Sequence, residues 1–163
     1  MERNIKEYRK GPIGALIDEY ARATADLKRI ILTVNNDDFK KVVDHETKDE
    51  DCRSIRSIMN HVVRAGYGYS NYIRKQFSNE LEERKENYKF ESAKEACDQL
   101  DLMLLYSNET LENKMEITED EISSNKILTS WGQVYDIEQL LEHAIVHILR
   151  HRRQIERFIT KMK

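Results

Sequence analysis

Turn formers are scarce in this sequence of 163 residues: proline occurs once and glycine five times. An all-β fold needs many tight turns, so the scarcity favours long helices. Cysteine is nearly missing as well. Cys52 and Cys97 stand far apart with no CxxC spacing, which points to two free thiols in a reducing compartment. No apolar run approaches the ~20 residues of a membrane span. The opening MERNIKEYRKGPIG lacks the apolar stretch of a secretory signal, so a cytoplasmic protein with no membrane partner is expected. Basic charge is not in excess either: the formal net charge of -3 gives no pull toward nucleic acid.

What the sequence does contain is helical periodicity. The spacing predicts a first helix from about Pro12 to Val34, with Ile13, Leu16, Ile17, Tyr20, Ala23, Leu27, Ile30 and Ile31 on one face. A polar stretch, NNDDFKKVVDHETKDEDC, suits a loop with a short turn of helix. A second helix is expected from Ser54 to about Phe77. A third opens at Ser92, with Glu95 at the capping-box position, and runs to Leu111. The link ENKMEITEDEISSNKILTSWGQVY is polar and is expected to touch the core at Ile127, Leu128 and Trp131. A fourth helix starts at Asp136, reciprocally capped by Gln139, and runs nearly to the end. Its acidic start and basic finish favour the helix dipole. Four amphipathic helices predict an all-α four-helix bundle in a single domain, 1–163, with 1–11 a flexible N-terminal segment.

The last helix carries HAIVHILRH, which places His143, His147 and His151 four residues apart. At a rise of about 1.5 Å per residue, the outer two lie about 12 Å apart along the axis and cannot share an ion. The apolar stripe Ile137, Leu141, Ala144, Ile148, Ile155 and Phe158 selects between the pairs. His151 falls inside its edge, His147 just beyond it, and His143 further round at the rim. His147 and His151 are thus the pair expected to face the bundle together. A third ligand is found in SIMNHVVRAGYGY, where His61 shares a helix flank with Ala65 and Gly68, small residues that leave space. His45, in a polar loop, reads as exposed. A histidine at a stripe edge is ordinarily just half-solvated or hydrogen-bonded, and that plainer reading stands beside the metal site. HILRH and HAIVH lack the glutamate of the zincin motif, which argues against that protease chemistry.

SIRSIMNHVVRAGYGYSNYI and EQLLEHAIVHILRHRRQIERFI resemble two helices of the DinB superfamily, the DinB/YfiT-like four-helix bundles. In the second stretch HRRQ stands where the family has an HRGQ-like sequence, so Arg153 replaces a glycine. The resemblance implies a divalent metal ion, zinc or nickel, held by His61, His147 and His151 beside a pocket open to solvent. It also implies a homodimer. Characterised relatives include S-transferases that use small thiols such as bacillithiol or mycothiol, and a maleylpyruvate isomerase. The expected activity is therefore metal-dependent transfer of a low-molecular-weight thiol to an electrophilic substrate.

Two alternatives remain open at this level: a metal-dependent hydrolase, and a non-catalytic metal-binding stress-response dimer. Tyr67, Tyr69, Tyr72 and Trp131 could line a pocket, although aromatics at helical spacing more often pack a core. Arg150, Arg153, Arg157 and Lys161 could suggest nucleic acid, but a solvated helix end accounts for them and no nucleic-acid partner is expected.

Overall fold

The computed structural model describes residues 7–83 and 85–163. The expected N-terminal segment therefore lies partly outside the described residues. Among the described residues six α-helices follow in chain order: α1 Gly11–Ile31, α2 Asn36–Lys40, α3 Ile55–Gln76, α4 Ala93–Leu111, α5 Glu119–Ser124 and α6 Ile137–Met162. The four long ones form the bundle. α1 packs on α6, α6 on α3, α3 on α4 and α4 on α1, so α1 and α3 sit across its diagonal. Ile13, Leu27, Ile58, Met59, Leu100, Met103 and Ile155 are among the side chains closed off in its centre.

Each long helix begins where local chemistry allows. Pro12 sits in the first turn of α1, where its missing N–H costs nothing. Ser54 caps α3 and exchanges bonds with Ser57. Asp136 and Gln139 form the expected reciprocal cap of α6. At α4 the detail differs: Ser92 accepts from the Glu95 amide, but the Glu95 carboxylate accepts from the amide of Glu91 and leaves that of Ser92 alone. The helix axes of α3 and α4 approach closely at Gly66, where an added Cβ would lie 2.3 Å from the sulfur of Met103.

The connections decide what reaches the site. After α1, Asn35 caps the single turn α2, which closes Phe39 into the core. The chain then pairs Val42 with Ser54, and a 3₁₀ turn, Glu50–Cys52, is capped by Asp49 and stands against α3. The irregular stretch between α3 and α4 is strapped back onto α3 by side chains aimed at backbone carbonyls. Asn60 and Arg64 donate to Glu86, Asn71 to Glu82, and Arg74 to Glu80. The polar link before α6 has more order than its composition suggests. α5 is closed by a Thr118–Glu121 box, and a two-residue antiparallel pair follows, β1 Ile127–Leu128 with β2 Val134–Tyr135. Ile127 is buried, whereas Leu128 and Trp131 are exposed. At the tip Gly132 takes φ 87°, a left-handed conformation that suits glycine, and its amide closes the turn onto Thr129. No helix among the described residues is long and apolar enough to cross a membrane.

Candidate metal centre

Three imidazoles converge between α3 and α6. Nε2 of His61 lies 2.8 Å from Nε2 of His147, which in turn lies 3.2 Å from Nε2 of His151. All three nitrogens fall within 4.8 Å of one another. Two nitrogens at about 2.0–2.1 Å from one ion stand about 2.9–3.4 Å apart for angles between right and tetrahedral, so the separations of His147 from His61 and from His151 are near those of ligands to a common divalent ion. The donors fit as well. A neutral imidazole carries one N–H and one lone pair, so three Nε2 atoms meeting at a point cannot all be satisfied by one another. A cation placed among them uses all three lone pairs.

Their surroundings keep the rings neutral, the form that ligates metal. Burial, reinforced by the neighbouring histidines, pushes the pKa of His147 down to about 2. Burial also lowers that of His61, against the opposing pull of Asp51, and that of His151. The far nitrogens are oriented from behind. Nδ1 of His151 is 3.0 Å from Oε1 of Gln154. Nδ1 of His61 is 3.3 Å from Oδ2 of Asp51; it has the distance of a hydrogen bond without the alignment, so the attraction is mainly electrostatic there. The same carboxylate oxygen accepts from the Arg64 guanidinium. Partners of this kind fix ring orientation in metal-binding histidines.

The predicted burial order is reversed: His147, at 9% exposed, is the buried member and His151 is half-buried. The stripe at the C-terminal end of α6 misplaces this boundary because α3, with Tyr69 edge-on at 5.7 Å, covers the His147 flank. His45 is exposed, as expected. His143 is half-buried and does not join the trio. Its ring stacks on Trp131 with centroids 5.5 Å apart, and its Nδ1 is 3.3 Å from the Tyr135 hydroxyl. Burial lowers its pKa too. Neither cysteine is activated: burial raises the pKa of Cys52, and that of Cys97 to about 11.

A cavity of about 880 Å³ opens over His61 and His147. Ala65 and Gly68 do leave the space their size implies, since both line it. Tyr69, Tyr72, Trp131 and His143 form one wall of rings in contact, and Arg64 and Lys85 also line the cavity. Tyr67 lies elsewhere, beside Tyr106 and Gln99. Sequence reasoning missed Asp51, Gln154, Arg64 and Lys85. Gln154 was within reach, because three residues after His151 on a helix is the adjacent face. Asp51 and Lys85 come from irregular segments whose docking no periodicity encodes.

The DinB family model matches residues 10–162. No curated protein matches the chain. Among solved structures, a crystal structure of a mycothiol-dependent maleylpyruvate isomerase is similar in fold, with a TM-score of 0.52 and 14% sequence identity. The similarity covers 86% of this chain, which spans 59% of that protein.

Proposed function

The chain belongs to the DinB family, and from that premise we propose that it holds a divalent metal ion, zinc or nickel, on His61, His147 and His151. We further propose that it uses the ion to transfer a low-molecular-weight thiol to an electrophilic substrate. The convergence of three neutral imidazoles, two of which, His61 and His147, line an open cavity, carries this reading. Three protein nitrogens with solvent access suit an ion that keeps a position for substrate, whereas a purely structural ion is closed by a fourth protein ligand. Among the described residues no fourth histidine, cysteine or carboxylate joins the cluster.

When bound, such an ion supplies Lewis acidity that favours the deprotonated form of a thiol brought to it. The residues of the chain provide the rest. Asp51 and Gln154 hold two of the imidazoles in orientation. Arg64 and Lys85 present N–H donors to polar parts of a ligand on one side, and the aromatic wall excludes water on the other. The fold likeness to a mycothiol-dependent enzyme agrees with a thiol cosubstrate. The reading carries a reducing, cytoplasmic setting and a homodimer with it.

The test is elemental analysis of untagged protein, followed by a screen of electrophile conjugation with several biological thiols. Stoichiometric zinc or nickel, with conjugation that chelation abolishes while the protein stays folded, is the expected result. Folded parent protein that takes up neither metal on reconstitution ends the reading.

A further inference from the structure

The aromatic wall is larger than a metal centre needs. Trp131, the chain's single tryptophan, is 44% exposed and is not part of the core. It is no stray surface residue, because its ring meets four others, three of which line the cavity with it. Trp131 and His143 lie within 25° of parallel. Tyr69 and Tyr72 stand edge-on to Trp131 at 79° and 83°, with centroids 6.2 and 6.0 Å away. The turn that carries Trp131 is anchored from α3: the Tyr72 hydroxyl accepts from the Ser130 amide at 2.7 Å, and Thr129 bonds Gln133 through both amide and hydroxyl. Two strands of two residues each and a pinned turn thus hold an indole over the cavity.

We propose that this wall, formed by Trp131, His143, Tyr69 and Tyr72, is a binding subsite for a flat, uncharged aromatic or conjugated group. Ring faces carry partial negative charge and ring edges partial positive charge, so a planar ligand stacks on the indole while its rim meets the tyrosines. Among the described residues no carboxylate lies in this wall; Glu86, the one acid among those lining the cavity, is held by Arg64 through its carbonyl. A planar group therefore fits on the aromatic side, with any polar substituents directed across the cavity. That the flat group belongs to the electrophile rests on the thiol-transfer reading; its binding does not, because none of the three converging nitrogens is needed to hold it. The inference assigns the substrate class: conjugated or aryl electrophiles in preference to saturated ones of equal size.

Trp131 is its own probe. Full-length protein is titrated with 1,3-dinitrobenzene, a flat quencher unreactive toward thiols, and with nitrocyclohexane as the saturated control. Excitation is at the red edge, where tyrosine does not absorb, and metal content is measured on the same samples. Saturable quenching by the planar compound with an unchanged lifetime is expected, with or without chelator, and at least about tenfold weaker binding of the saturated one. By calorimetry Trp131→Ala should weaken binding about tenfold, and Trp131→Phe, which keeps a ring and guards against misfolding of the alanine variant, should weaken it less. Saturable quenching in protein that cannot take up metal would retain the subsite while removing the thiol-transfer reading. Linear, collisional quenching, or equal calorimetric affinity in Trp131→Ala, overturns the subsite even where metal is present.

Discussion

Asp51 stands behind His61, its Oδ2 3.3 Å from the ring nitrogen that faces away from the other two imidazoles. That oxygen also takes a hydrogen bond from Arg64, which ties the carboxylate to α3 through a second residue. A carboxylate so placed raises the basicity of the imidazole and fixes which nitrogen is free to ligate. Outer partners of metal-binding histidines ordinarily account for about 10–100-fold in affinity. Asp51→Asn is therefore expected to weaken zinc or nickel binding by that order, read by competition with a chromophoric chelator. The substitution keeps the shape and leaves helix content unchanged by circular dichroism. Equal affinity in parent and variant would show that Asp51 serves only the surface ion pair with Arg64.

The choice among the histidines of α6 is open to a direct comparison. His147 contacts both other nitrogens of the trio, whereas His143 stacks on Trp131 with its Nδ1 toward Tyr135. His147→Ala should abolish stoichiometric metal in elemental analysis, and His143→Ala should retain it. Metal retained in the first variant and lost in the second would move the site up the helix by one turn.

Much of this arrangement is written in periodicity. The four long helices, the start at Ser54, the cap at Asp136, and the shared flank of His61, Ala65 and Gly68 follow from spacing, because helix geometry turns spacing into direction. What spacing does not encode is how irregular chain docks. Asp51 reaches His61 through a 3₁₀ turn held by Asp49 and by the Val42–Ser54 bridge. Lys85 reaches the cavity because Asn60 and Arg64 capture the carbonyl of Glu86. The bonds to Glu86 run from side chain to backbone across 22 and 26 residues, and Arg64 holds Asp51 by a side chain to side chain bond across 13, with no repeat to reveal them. The burial order of His147 and His151 was likewise set by a neighbouring helix and not by α6 itself.

Gly66 sets the separation of α3 and α4, and its replacement tests the packing independently of the site. A Cβ there would stand 2.3 to 2.9 Å from three atoms of the Met103 side chain, itself closed into the core. Methionine can change rotamer, so the strain falls within the usual overpacking range of about 1–3 kcal/mol. Gly66→Ala is also a better helix former by about 1 kcal/mol, which offsets part of the loss. The expected net effect is a drop in Tm of a few degrees, about 2–4 °C per kcal/mol for a chain of this size. A rise in Tm would mean that Met103 moves aside freely and that the close approach is incidental.

The histidine cluster should also set how the metal-free protein responds to acid. His61, His143, His147 and His151 all titrate below the ordinary histidine value when folded, chiefly through burial. In the unfolded chain they titrate near about 6.5. Between those values the unfolded chain binds more protons than the folded one, so stability rises with pH across the window and falls on acidification from about pH 6.5. The slope approaches about 1.4 kcal/mol per pH unit for each proton taken up on unfolding. The carboxylates whose pKa is lowered, Asp44 and Glu121, lose their contribution only at more acid pH, so the window from about pH 5 to 6.5 belongs to the histidines. Urea unfolding of chelated protein at about pH 7.5, 6.5 and 5.5 should give constant stability above the window and a decline within it. His147→Leu removes the deepest of the four and should flatten that decline. A bound ion competes with the same protons for the same lone pairs, so loaded protein should lose both its ion and its added stability over the acid range. Stability that is level from about pH 7.5 to 5.5 in the chelated parent would mean that these histidines take up protons equally in the folded and unfolded chain, so that burial does not hold the rings neutral.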